Sequence, residues 1–516
     1  MSFAIATPHV AATDAGAAVL ADGGNAVDAT VAATAVLGVT YPHMCGIGGD
    51  LFLLHYDTST TSVTCLNASG PAPLLASPRA YFERGFTSVP SRGPLAVTVP
   101  GAVDGWAKAL ARLGSRPISS LLEPAIAAAK GGVPVPPNLA RWIVANARDL
   151  KQDARLASTF FSGVGTPLSA GDVLRQPALA RSLERIADRG ASEFYRGTLG
   201  VQISEAVEIA GGLLRERDLA EYSASWVPPI ATTHRGLDVY TTPPNSQGVT
   251  ALVMLRLLSS LGAHRMQPGS RDYIAAFVTA KRAAFRLRDR HLGDPAFKCT
   301  DWQALLDDRS LRREVDPGQP SETDFPPGGD TVYVCTVDSA GNACSAIHSI
   351  YYGFGACLVA GETGVLLHNR GHAFSLDHDT PTSLAPGKRP RHTLMASLAL
   401  SRSGLRYVFG SMGAEGQPQF NVQVLDRLLA GAAPPDAVAA PRILHGRFAL
   451  EDPPDTLRIE ADMGSDVIRS LDQPRDTVEI VPSRSDVMGH AHAIARTRGQ
   501  LTAGADPRSD GSAIVG

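Results

Sequence analysis

Gly328-Gly329-Asp330-Thr331-Val332-Tyr333-Val334-Cys335-Thr336-Val337-Asp338 carries a glycine pair directly into a run of period-two alternation. That alternation predicts a strand beginning at Thr331. A turn at Ser339-Ala340-Gly341-Asn342 follows, and Ala343-Cys344-Ser345-Ala346-Ile347-His348-Ser349-Ile350 repeats the pattern, so the two runs read as a β-hairpin. A hydroxyl therefore stands where a flexible segment meets a strand. A break between Asp330 and Thr331 would give the threonine both a hydroxyl and a free α-amine, a nucleophile and its base in one residue. The glycine pair would let the backbone bend until the Thr331 hydroxyl reaches the Asp330 carbonyl, an N-to-O acyl shift that frees the amine. A threonine heading a strand is also an ordinary β-former, so position alone leaves both readings open.

Upstream of the junction, residues 316–330 are too rich in Pro, Gly and acidic residues for a helix or central strand, and they predict a loop or linker. Nearer the start, Ala26 to Leu37 is small and apolar on nearly all sides, which predicts a buried, tightly packed helix. His43-Met44-Cys45-Gly46-Ile47-Gly48-Gly49-Asp50 is a glycine-rich turn leading into a strand at Leu51-Phe52-Leu53-Leu54-His55-Tyr56. The region from about Pro100 to Ser260 alternates helical patterns with Pro and Gly punctuation and reads as mainly helical. The end of the chain, from His490 through Asp506-Pro507-Arg508-Ser509-Asp510-Gly511, reads as a further strand and turn.

Composition excludes several classes of function. Of the 516 residues 44% are hydrophobic and 19% charged, ordinary for a soluble globular protein. Basic residues number 47 against 50 acidic ones, with no long Lys/Arg run to track phosphates, so nucleic acid is not an expected partner. The N-terminal Met1-Ser2-Phe3-Ala4-Ile5-Ala6 lacks the basic start and apolar stretch of a secretory signal, and no run is long enough for a membrane span. A cytoplasmic setting without membrane contact is the expectation. The six cysteines lack CxxC spacing and read as buried free thiols; Cys335 and Cys344 could face each other across the hairpin, but a cytoplasmic setting argues against a stable disulfide.

Two further clusters carry chemistry. Phe409-Gly410-Ser411-Met412-Gly413-Ala414-Glu415-Gly416 is a tight turn whose backbone N–H groups could hold an oxyanion, although a glycine-rich turn can equally be structural. Asn369-Arg370-Gly371-His372 and Arg389-Pro390-Arg391-His392-Thr393 place guanidinium groups in loop-like sequence; the planar fork suits a carboxylate, and a solvated surface arginine is the alternative. HExxH, paired CxxC, strand-borne GxGxxG and P-loop patterns are absent from the sequence, and no metal or other cofactor is expected.

Together, Gly23-Gly24-Asn25-Ala26-Val27-Asp28-Ala29, Gly46-Ile47-Gly48-Gly49, Glu193-Phe194-Tyr195-Arg196-Gly197, Gly293-Asp294-Pro295 and Asp506-Pro507-Arg508-Ser509-Asp510-Gly511 resemble the γ-glutamyltranspeptidase superfamily nearly end to end. The resemblance implies an N-terminal nucleophile hydrolase, a four-layer αββα sandwich of the α+β class formed by residues 1–516 as one unit. It implies a proenzyme that cuts itself before Thr331 into a large fragment, 1–330, and a small fragment, 331–516, which stay associated; a homo-oligomer is compatible with it.

Carried over position by position, the resemblance makes Thr331 the nucleophile and Ser349 the counterpart of a second threonine that supports its amine. Gly413 and Ala414 fall on the paired oxyanion glycines. Substrate-binding positions depart further. Ala373, before Phe374, replaces the acid that would hold a glutamyl amine, Tyr351 replaces an asparagine, and His392-Thr393 replaces a serine pair for the glutamyl carboxylate. Arg79 is a candidate for the carboxylate-binding arginine.

Pro243-Pro244-Asn245-Ser246-Gln247-Gly248, Asn369-Arg370-Gly371 and Gly413-Ala414-Glu415-Gly416-Gln417-Pro418-Gln419 are similar to the branch that contains oxamate amidohydrolase. That branch hydrolyses a small carboxylated amide, with Arg370 as a candidate carboxylate clamp. The expected function is a self-processing amidohydrolase. The alternatives are a γ-glutamyl hydrolase or transferase, a β-lactam side-chain acylase, and an unprocessed homologue that only binds a ligand.

Overall fold

A computed structural model describes residues 2–307, 311, 330–447, 453, 455–471 and 477–516. Most of the expected linker, residues 316–329, lies outside them. The hairpin is formed by strands Asp330–Val337, one residue longer at its start than expected, and Ala343–Tyr351. It sits in the middle of a sheet ordered Ser512–Val515, Ala4–Thr7, Asp330–Val337, Ala343–Tyr351, Asp50–Asp57, Ser62–Ala68, Ser225–Val227, with antiparallel neighbours throughout. The second sheet runs Gln500–Ala505, Ala491–Thr497, Gly404–Ser411, Ser397–Ser401, Leu237–Thr241, Ile230–His234.

Cys45, Cys65, Cys335 and Cys344 are buried free thiols, as expected, whereas Cys357 is half-buried and Cys299 exposed. The hairpin register decides how Cys335 and Cys344 stand. Cys335 pairs with Ser345 and Cys344 with Thr336, so the two cysteines are offset by one residue. An offset of one sends side chains to opposite faces: Cys335 packs between the sheets and Cys344 against the helices, both as free thiols.

The two sheets stack through a shared apolar layer. Phe52, Leu54, Tyr333 and Ile347 come from the first sheet and Leu398, Val408 and Ile494 from the second, all buried. Truncating one of the large members, such as Phe52→Ala, should cost about 3–5 kcal/mol, because the lost transfer energy is compounded by a cavity.

Helices cover both outer faces. On the first, Ala26–Thr40 is buried along its whole length, as its all-round small apolar sequence predicts. Its start is fixed by Asn25, whose side chain accepts the Val27 and Asp28 N–H groups while the Asp28 carboxylate accepts the Asn25 N–H. On the second face, Gly248–Ser260, Arg271–His291 and Gln417–Leu429 share a core with Val239, Ala399 and Phe409. The architecture is therefore the expected αββα sandwich. The middle of the chain is mainly helical, as expected, but it also supplies the strands Ser225–Val227, Ile230–His234 and Leu237–Thr241.

Candidate active site

Thr331 is buried near the head of its strand, 1% exposed. Pairing is regular up to His348 opposite Val332 and resumes at Tyr351 opposite Asp330, so Ser349 and Ile350 together face the single residue Thr331. A bulge of this kind bends the strand and re-aims its side chains. Here the Thr331 Oγ1 hydroxyl donates to Ser349 Oγ at 3.2 Å, and the Tyr351 N–H donates to the same oxygen at 2.8 Å.

Beyond the bulge, Tyr351 adopts φ 79°, a left-handed conformation that costs a non-glycine residue about 1–2 kcal/mol. Its ring lies against the guanidinium of Arg370, with Cζ 3.8 Å from the ring centroid. Cation–π contacts of this sort strengthen when both partners are desolvated. Arg370 opens the short 3-10 turn Arg370–Ala373 and is 1% exposed, so it is no surface arginine. Its Nη1 donates to Thr393 Oγ1 at 3.2 Å, whereas Nε and Nη2 are buried without an acceptor among the described residues. Burial pulls its pKa down to about 10, which leaves it a cation at neutral pH. Ala373 is buried beside it and brings no carboxylate.

The turn proposed for the oxyanion follows the strand Gly404–Ser411. Gly413 has φ 128°, and a Cβ there would come within 2.6 Å of the Phe420 ring; Ala414 has φ 47°. Gln247 ties this turn to the arginine site, because its Nε2 donates to Ala414 O at 3.0 Å and to Thr393 O at 2.8 Å. Arg288 Nη1 donates in turn to Gln247 Oε1 at 3.1 Å. Glu415 pairs with both Arg288 and Arg391. Burial would raise the Glu415 carboxyl, but the two guanidinium groups prevail and hold it below the usual range.

A chain of short contacts thus joins Thr331, Ser349, Tyr351, Arg370, Thr393 and, through Gln247, Ala414 with its neighbour Gly413. Arg79 is not brought into it. That residue is exposed on the helix Pro78–Phe82 and pairs with Glu83 one turn on.

His392 stands next to the arginine site, but its ring is turned to a carboxylate of the protein itself: Nε2 lies 3.0 Å from Asp50 Oδ2. Burial and the Arg370 charge push its pKa down to about 3, so the ring is neutral and its one N–H is already given away. Asp50 went unnoticed in the sequence. It follows the glycine run, and a Cβ on Gly49 would come within 2.3 Å of the Ser349 carbonyl oxygen; glycine there lets the strand Asp50–Asp57 start beside Ser349. An acid directly before the buried apolar run Leu51-Phe52-Leu53-Leu54 is the signal that could have found it.

The γ-glutamyltranspeptidase family model matches residues 12–516. The chain is 37% identical to the glutathione hydrolase-like YwrD proenzyme of Bacillus subtilis, over 99% of this chain and 98% of that one. It is 36% identical to the oxamate amidohydrolase proenzyme of Klebsiella pneumoniae, over 98% and 97%. The crystal structure of a cephalosporin acylase from Bacillus halodurans matches with a TM-score of 0.90 at 31% identity, over 99% of this chain and 95% of that one. Because the agreement runs through both sheets and both helical layers, the chain belongs to the γ-glutamyltranspeptidase family of self-processing, N-terminal nucleophile amidohydrolases.

Proposed function

We propose that this protein cuts itself before Thr331 and then hydrolyses a small amide that carries a carboxylate, with oxamate as the model substrate. The observation that carries the reading is Arg370, a fully buried cation with two donor atoms lacking acceptors among the described residues. Buried donors left unpaired are costly, and a carboxylate of the substrate would satisfy both in one planar contact.

In this mechanism Thr331 Oγ1 attacks the amide carbonyl while the freed α-amine takes the hydroxyl proton. The N–H groups of Gly413 and Ala414 hold the oxyanion. Collapse returns the proton to the departing nitrogen, which leaves as ammonia, and the acyl group stays on Thr331 as an ester. Water, deprotonated by the same amine, then releases the acid and restores the hydroxyl. Ser349 accepts from the Thr331 hydroxyl and fixes its direction. A γ-glutamyl donor fits less well, since its ammonium would meet Ala373 in place of an acid.

Ammonia release from oxamate and its uncharged analogue oxamide, and aniline release from γ-glutamyl anilide, test the reading. Oxamate should be preferred over oxamide by at least tenfold in kcat/KM, the order expected for one charge-assisted contact. Equal, strong turnover of the γ-glutamyl compound would remove the proposal.

A further inference from the structure

Asp50 has no part in the chemical steps above, yet it sits at the centre of the site's support. Its side chain belongs to the residue directly opposite Ser349 on the neighbouring strand. Oδ1 accepts the Gly70 N–H at 3.0 Å. Oδ2 lies 3.0 Å from His392 Nε2 and 3.0 Å from His368 Nδ1. The two imidazoles lie 24 residues apart in sequence, both far from Asp50, and all three residues are fully buried.

His368 precedes Arg370 by two residues, and His392 immediately precedes Thr393, the two residues that hydrogen-bond each other at 3.2 Å. Each histidine is also held elsewhere. The His368 backbone N–H donates to Gly48 O at 3.0 Å, and its ring Nε2 lies 2.9 Å from Thr98 O and 3.1 Å from Thr98 Oγ1. The His392 backbone N–H donates to Asn245 O at 2.9 Å. One carboxylate oxygen therefore sets the distance between two segments whose neighbouring residues form the arginine site.

A buried carboxylate is a poor way to gain stability, because desolvation offsets most of its attraction to its partners, whereas it fixes geometry well. We infer that Asp50 is a positioning residue that sets the separation of Arg370 and Thr393 through His368 and His392, without touching the substrate. The inference rests on the reading of Arg370 as the carboxylate-binding group.

The test is Asp50→Asn, which keeps the shape and removes the charge. Self-cleavage before Thr331 should persist. KM for oxamate should rise about tenfold or more while kcat changes less than about threefold, and the oxamate-to-oxamide preference should fall by the same factor as KM rises. Parallel losses in both constants, or an unchanged preference, overturn the inference. His392→Gln, which keeps a donor for Asp50, should stay near wild type, and His392→Leu should behave like Asp50→Asn; the converse order overturns it, and this pair decides the matter if Asp50→Asn fails to fold. A crystal structure of Asp50→Asn is independent of the substrate. Separation of Arg370 Nη1 from Thr393 Oγ1 beyond hydrogen-bond reach supports the inference, and retention at the wild-type distance overturns it even if wild type shows no preference for oxamate.

Discussion

The Thr331 hydroxyl donates to the hydroxyl of Ser349, 3.2 Å away on the partner strand of the same hairpin. The contact exists only because the bulge brings two residues opposite one. Ser349→Ala should leave the fold intact and lower kcat by about tenfold, the worth of one hydrogen bond of ordinary strength. Steady-state kinetics on the purified, processed protein measures it; an unchanged kcat would remove Ser349 from the site.

Thr331→Ala should abolish both cleavage and turnover, since the variant has no hydroxyl for either acyl transfer. Intact mass reports the first and ammonia release the second. Two fragments from the alanine variant would show that the nucleophile lies elsewhere.

Arg370→Lys keeps the positive charge but loses the planar fork and the flat face that lies on Tyr351. Catalytic efficiency on oxamate should fall about 10–100-fold, the range for a lost hydrogen bond to a charged group, and oxamide hydrolysis should change little. Equal losses on both compounds would mean that Arg370 holds the fold and not the substrate.

Ala414 and Gly413 give opposite expectations. Ala414 has φ 47°, where glycine relieves about 1 kcal/mol of strain, so Ala414→Gly should keep processing and activity. Gly413→Ala puts a Cβ within 2.6 Å of the Phe420 ring at φ 128° and should lower kcat or block cleavage. A fully active Gly413→Ala would argue against an oxyanion role for this turn.

Stability should fall with acid from near pH 6.5 downward. Burial pushes His43, His392 and His492 down to about 3 and His348 to about 4, from ordinary values of 6.5. Between those limits the unfolded chain binds more protons than the folded one, and each such proton costs up to about 1.4 kcal/mol per pH unit. Asp506, brought down to about 2 by Arg442 and Arg508 against its burial, adds a loss between about pH 3.8 and 2. Calorimetry from pH 8 to pH 4 should show Tm falling below about 6.5; a flat or rising Tm would refute the expectation.

The hairpin could be read from its period-two alternation, the buried helix Ala26–Thr40 from its all-round small apolar residues, and the turn into Asp50–Asp57 from its glycine run. The stacking of the two sheets has no such local mark, since it depends on strands hundreds of residues apart. Arg370 and Arg79 are both candidates in the sequence for a carboxylate-binding arginine, and only the three-dimensional packing separates them: one lies buried on Tyr351, the other is solvated beside Glu83. Likewise the one-residue register of the hairpin, which parts Cys335 from Cys344, cannot be counted from a turn whose exact length is unknown. Asp50 escaped notice because its partners, His368 and His392, are more than 300 positions away.

The order of the first sheet bears on what a break before Thr331 would leave behind. Ser512–Val515 belongs to the later piece, Ala4–Thr7 to the earlier, the hairpin strands almost wholly to the later, and Asp50–Asp57 with its outer neighbours to the earlier. The two pieces interleave in one sheet, so each supplies strand partners that the other lacks. Maturation would then run in one direction. A molecule unfolded after the cut would face a bimolecular search that the newly made chain never met.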